Sequence, residues 1–368
     1  MTASVKPSKK FFFGVGCFNF RYLRPIPFEL RVKEYVQSLK EELEKLRNLN
    51  DLEIEYDERD ADEGFIISEN PPMLEEGVAF PSPQTIIIMF RLYIPKRVQE
   101  ELIGREPRTQ TENFKVTVWH WYFGPVAFVE SYDAGEDCDP SSAVQVVREF
   151  MEREVEKLKG PISFESLGPS PFHMDFYARH VPTQSEDILT EETRQHGYDR
   201  LDITFRDETD IERAVYFELV SELDVYYELI RHNRLRRNEW NELGQKWYGL
   251  REKTQADVPV YDIPKRLDIH RAARSLIADA FTFTVEDQFA AMARQQILRD
   301  EYGKDLEARF KRFVNDAANQ EAYPVQSIID WAKHVYEASF KTAEILTLVV
   351  AATVGGIVGA LITSTLSR

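Results

Sequence analysis

The feature that constrains this chain most is one uncharged run near its end. From Ile345 to Leu366, ILTLVVAATVGGIVGALITSTL, 22 residues pass without a charged side chain. At about 1.5 Å per residue a helix of that length covers roughly 33 Å, against a bilayer core of about 30 Å. A buried core helix seldom runs so far without a charge. The segment therefore predicts one C-terminal transmembrane helix over 345–366. Only Ser367 and Arg368 follow. The expected topology is single-pass and tail-anchored, with the N-terminal part cytosolic. The run FFFGVGCF after Lys9 and Lys10 is too short for a secretory signal and is soon followed by Arg21.

Within the run, Ala351, Gly355, Gly359 and Thr363 stand four apart. Small residues on one helix face let two backbones approach, so van der Waals contact can drive association in lipid. This ladder predicts a homo-oligomer. Upstream, the stretch 321–344 reads as a juxtamembrane amphipathic helix, with Pro324 as the break before it. Trp331, Lys333, Tyr336, Phe340 and Lys341 are its candidate membrane-interface residues, because aromatic rings and long cations settle among lipid headgroups.

The rest divides by periodicity. Residues 1–207 alternate strand and helix patterns and predict an α+β domain with a mainly antiparallel sheet and two or more packed helices. Its strands include 11–20, 51–56, 85–94, 114–123 and 126–131. One helix is expected over 27–49, with Pro27 at its start. Another is capped by Asp139, has Pro140 in its first position, and ends at Gly160. Residues 208–320 read as a helical domain or stalk. Val215, Leu219, Leu223, Tyr226 and Ile230 form one apolar stripe, and Leu243, Trp247 and Leu250 continue it.

Charge follows the same division. Residues 1–260 hold 49 acidic and 33 basic side chains, and 261–344 hold 14 and 12, within a formal net charge of -17. An acidic surface of this size argues against nucleic acid as a partner. The segment closest to the predicted span is nearly neutral, which suits anionic lipid. Two cysteines, Cys17 and Cys138, exclude a disulfide scaffold and a cysteine zinc cluster.

Catalytic motifs are missing: the sequence holds no GxxxxGK[ST], GxSxG or HExxH. No cofactor is expected. Three weaker constellations are present. His120, His173 and Asp175 could meet across strands as a metal or acid–base site. Arg231, Arg234, Arg236 and Arg237 could bind an anionic ligand or pair with acidic side chains. Glu58, Asp60, Asp62 and Glu69 echo a calcium loop, but Gly64 falls one place late and a solvated acidic loop fits as well.

These readings converge on a membrane sensor or effector. Its cytosolic domain would bind a protein partner or small anionic ligand, and its transmembrane helix would self-associate in the bilayer, in the manner of some prokaryotic defence effectors. A membrane-tethered hydrolase or metal-dependent enzyme and a passive membrane scaffold are the alternatives.

Overall fold

The computed structural model describes residues 10–22, 28–57, 64–67, 86–105, 108–120, 124–135, 137–166, 174–183, 188–193, 198–206, 211–255, 259, 262–302, 311–319, 322–339 and 351–354. The chain forms two compact units. One is Met1–Ile230 with Glu301–Val314; the other is Arg231–Asp300 with Asn315–Arg368.

The first unit is α+β, with a large, mostly antiparallel sheet. Its elements are β1 (Lys10–Gly16), β2 (Phe18–Tyr22), β3 (Phe28–Arg31), α1 (Val32–Leu43), β4 (Leu49–Tyr56), β5 (Gly64–Ile67), β6 (Ile86–Tyr93), α2 (Lys96–Ile103), β7 (Asn113–His120) and β8 (Pro125–Ser131). They continue through α3 (Pro140–Leu158), β9 (Ile162–Ser166), β10 (Met174–His180), β11 (Ile188–Thr193), β12 (Asp199–Phe205) and the start of α4 (Ile211–Gln255). Eight strands pair in the order β11-β12-β10-β1-β8-β7-β6-β4. Only β10 and β12 run parallel within it.

Alternation gives the sheet two different buried faces. Ile86, Ile88, Phe90, Val116, Val118, Ala127 and Val129 face one way and share a core with Tyr35 and Leu39 of α1 and Val147 and Met151 of α3. On the other face Phe13, Phe128 and Phe176 meet Tyr216 of α4 or each other; Tyr216 stacks on Phe128 with centroids 4.2 Å apart.

Helix α3 begins where the sequence places it. An Asp139 carboxylate oxygen accepts the Ser142 N–H, and Pro140 occupies the first turn. At its far end the left-handed residue is Lys159 (φ 53°), with Gly160 just beyond. Helix α1 is shorter than its apolar spacing suggests. Residues 28–31 are instead extended and pair with 64–67, so their backbone groups belong to a ladder, and the helix starts at Val32.

The second unit is helical. It contains the later part of α4, α5 (Ile263–Tyr302) up to Asp300, the end of α6 (Lys311–Ala318), and a helix over 325–339, here α7. Leu243 and Leu250 of α4, Ala273, Leu276, Ala280 and Phe283 of α5, and Val325, Ile329 and Ala332 of α7 form its core. Lys246–Asp279 (2.9 Å) and Lys253–Asp268 (2.7 Å) fix α4 and α5 as antiparallel. Phe283 against Tyr323 and His270 against Tyr336 set α7 antiparallel to α5.

Among the described residues no helix is long and apolar enough to cross a membrane. Of 345–366 only 351–354 is described; it is helical and exposed. The rest of that segment lies outside the described residues.

Strand β1 and helix α3 approach closely at Gly14. A Cβ on Gly14 would stand 2.5 Å from the Pro140 carbonyl oxygen and 2.5 Å from a Val144 methyl. Backbone cannot retreat cheaply there. Gly14→Ala should therefore cost about 2–4 kcal/mol, in the overpacking range and above. A fall in the urea midpoint at unchanged slope checks this; an unchanged midpoint contradicts it.

Candidate functional site

The structure separates the residues proposed for a metal site. His120 lies on β7 and Asp175 on β10, with β8 and β1 between them. Three strand spacings alone amount to about 14 Å. His173 lies outside the described residues, and among those described no group of three metal-ligating side chains comes together. The calcium-like loop, with Glu58, Asp60, Asp62 and Glu69, also lies outside them.

Both described members are nevertheless perturbed. His120 is buried, and neither ring nitrogen has a hydrogen-bond partner among the described residues. Burial pushes its pKa down to about 4. Asp175 sits over the start of α3 and accepts the Ser141 N–H at 2.8 Å. Burial, then the Asp139 charge, push its carboxyl up to about 6, against the pull of Ser141 and Arg200. Cys138 nearby is pushed up to about 12, chiefly by burial and then by Asp175, so it stays a thiol. Tyr177 donates to the Cys138 carbonyl at 3.0 Å under the Arg200 guanidinium. This network caps a helix and ties it to β10.

The arginine cluster is likewise divided. Arg236 is buried, pairs with Asp287 through two nitrogens, and lies over the Tyr323 ring at 4.3 Å. Arg234 and Arg237 are exposed, and the side chain of Arg231 is outside the described residues. Of the proposed interface residues, Trp331 packs edge-on against Trp247, Tyr336 stacks on His270, and Lys333 is exposed over Phe281. Phe340 and Lys341 lie outside the described residues, as do Gly355, Gly359 and Thr363 of the ladder; Ala351 is helical and exposed.

A cleft that no motif announces does assemble functional groups. On the α4 face of the sheet, register sets Glu53 beside Met89 and Met89 beside Thr117, with Glu55, Ile87 and Trp119 in the next row. With Lys115 and the first turns of α4 they line a cavity of about 220 Å³. Arg213 grips Glu55 with two nitrogens, at 2.8 and 3.2 Å. Lys115 pairs with Glu212. Three carboxylates and two cations thus stand over an apolar wall. Among the described residues no histidine, serine or cysteine lines the cleft. The arrangement suits binding of a polar ligand with an apolar body.

No known protein family matches the chain. Neither does any curated protein or solved structure.

One buried and one half-buried group make the acid response specific. Asp175 is raised in the folded state, so its contribution is full below about pH 3.8 and is lost as pH rises through about 6. His120 is lowered, so its contribution is full above about pH 6.5 and is lost as pH falls through about 4. Between pH 4 and 6 the two slopes oppose each other. Asp175→Asn should therefore steepen the loss of stability on acidification, by on the order of 2–3 kcal/mol across that window. Urea unfolding from pH 4 to 8 tests it; a variant curve parallel to wild type contradicts the assignment.

Proposed function

We propose that the chain is a membrane-tethered binding protein, a sensor or effector whose α+β unit takes a ligand or partner and whose 345–366 segment holds it to a bilayer. The observation that carries this reading is the 22-residue uncharged run itself, which is long enough for the hydrocarbon core. The cleft beside Lys115 and Arg213 supports the binding half, since it fixes charges of both signs over an apolar wall. The small-residue ladder of Ala351, Gly355, Gly359 and Thr363 supports self-association of the tether in lipid.

The test is membrane extraction of the full chain. Wild type should stay in the membrane pellet after alkaline carbonate. Val354→Arg with Val358→Arg should release it, because each central arginine costs about 2.5–3.5 kcal/mol of insertion. Extraction of the wild-type chain by carbonate would remove the tether from the reading.

A further inference from the structure

Helix α5 is apolar on two opposite sides. Ala273, Leu276, Ala280 and Phe283 are buried in the core of its own unit. On the far side, Ile263, Leu267, Phe281, Val285, Phe289 and Met292 are exposed. Together with Arg271, Arg274 and Ala278 they fall within an arc of about 80° on a helix of 3.6 residues per turn. A stripe this narrow, at three- and four-residue spacing, is the seam of a helix pair.

The exposed area matches the largest apolar patch of an ordinary monomer, a patch that is often functional. Phe281, Val285, Phe289 and Met292 are 48%, 49%, 64% and 57% exposed. At about 150–200 Å² per large apolar side chain they present on the order of 400 Å². Monomers seldom leave more than a few hundred Å² contiguous. With Ile263 and Leu267 counted, two copies would bury roughly 1,000 Å² of apolar surface, the lower edge of a specific interface.

Charge decides what covers it. From Ser275 to Ala293 the helix itself carries no lysine or arginine, while Asp279, Glu286 and Asp287 are acidic; the cation beside this part of the stripe is Lys333 of α7, which stands over the Phe281 ring. A helix lying on anionic lipid carries the opposite flanks. Arg271 and Arg274 are exposed and have no ion-pair partner among the described residues. In a parallel pair each would meet its own copy. An antiparallel pair, with its two-fold axis between Asp279 and Ala280, sets Leu267 against Met292, Ala278 against Phe281, and Arg274 against Val285 with Glu286 beside it. Arg271 then lies over the Phe289 ring, a favourable cation–π contact.

We propose that a second copy of this chain docks on this face of α5, antiparallel, through the Leu267–Met292 seam. The pairing is isologous and independent of the 345–366 segment.

The experiment uses full-length chains in mild detergent, all carrying Gly355→Ile and Gly359→Ile to remove the tail ladder. Cys17 and Cys138 are buried. Two further versions, Leu267→Cys and Met292→Cys, carry different tags and are mixed with a short bis-maleimide. The antiparallel seam should yield mixed 267–292 product at about tenfold or more over self-linked product, since like positions stand roughly 37 Å apart along the axis. Predominant self-linking would overturn it. In parallel, Phe289→Glu should raise the dimer dissociation constant by roughly tenfold or more with an unchanged thermal melt. A sedimentation profile that stays dimeric in this variant, or a monomer that instead binds phosphatidylserine vesicles through this face, would also overturn it.

Discussion

The first unit depends on a contact made at a residue with no side chain. At Gly14, helix α3 meets strand β1 backbone to methyl, because any Cβ there would overlap the Pro140 carbonyl and Val144. That approach fixes the height of α3 over the sheet. It allows Val147 and Met151 to reach the same core as Ile88 and Val116. It also leaves Phe13, the next residue before Gly14, pointing to the opposite face, where Phe128, Phe176 and Tyr216 close around it. One strand therefore governs both layers. Beside α3 its alternation is small on the helix side, at Gly14 and Gly16, and apolar on the other, at Phe13 and Val15, and both faces there are buried.

The sequence makes some of this legible and hides the rest for physical reasons. The start of α3 is local chemistry: Asp139, Pro140 and the Val147–Phe150–Met151 spacing carry it, and the structure agrees. The stripe from Val215 to Tyr226 is buried as its period requires. Residues 28–31 have no such local signature, since their conformation is set by pairing with 64–67. The order of the sheet is equally non-local, with β1 between strands that come far later in the chain. The candidate cleft draws Glu55, Trp119 and Arg213 from separate elements, and only the register of β4, β6 and β7 brings them together. Arg236 shows the same limit. Its neighbours suggested an anion site, but Asp287, on another helix, takes its guanidinium.

Ionisable groups in this protein are mostly spent on structure. Arg236 and Asp287 close a pair within the helical unit, and Lys246 and Lys253 clamp α4 to α5. His120 is held in the interior and Asp175 is half-buried over the start of α3, and both are shifted in the directions that burial dictates. What separates the cleft from these is that its charges stand at the edge of an open cavity rather than inside a sealed core. The arginines left over on α5 differ in another way: they sit within an apolar stripe, where a free cation is only comfortable if something meets it.

The place of β1 also has a consequence for how the protein is made. Its neighbours are β8, which starts at Pro125, and β10, which starts at Met174. Phe11, Phe12 and Phe13 therefore leave the ribosome long before either partner exists. At about 5–20 residues per second, the wait is roughly 5–20 s for β8 and longer for β10. During synthesis the most aromatic strand of the sheet is left without its partners, and its apolar surface stays open to aggregation until the second half arrives.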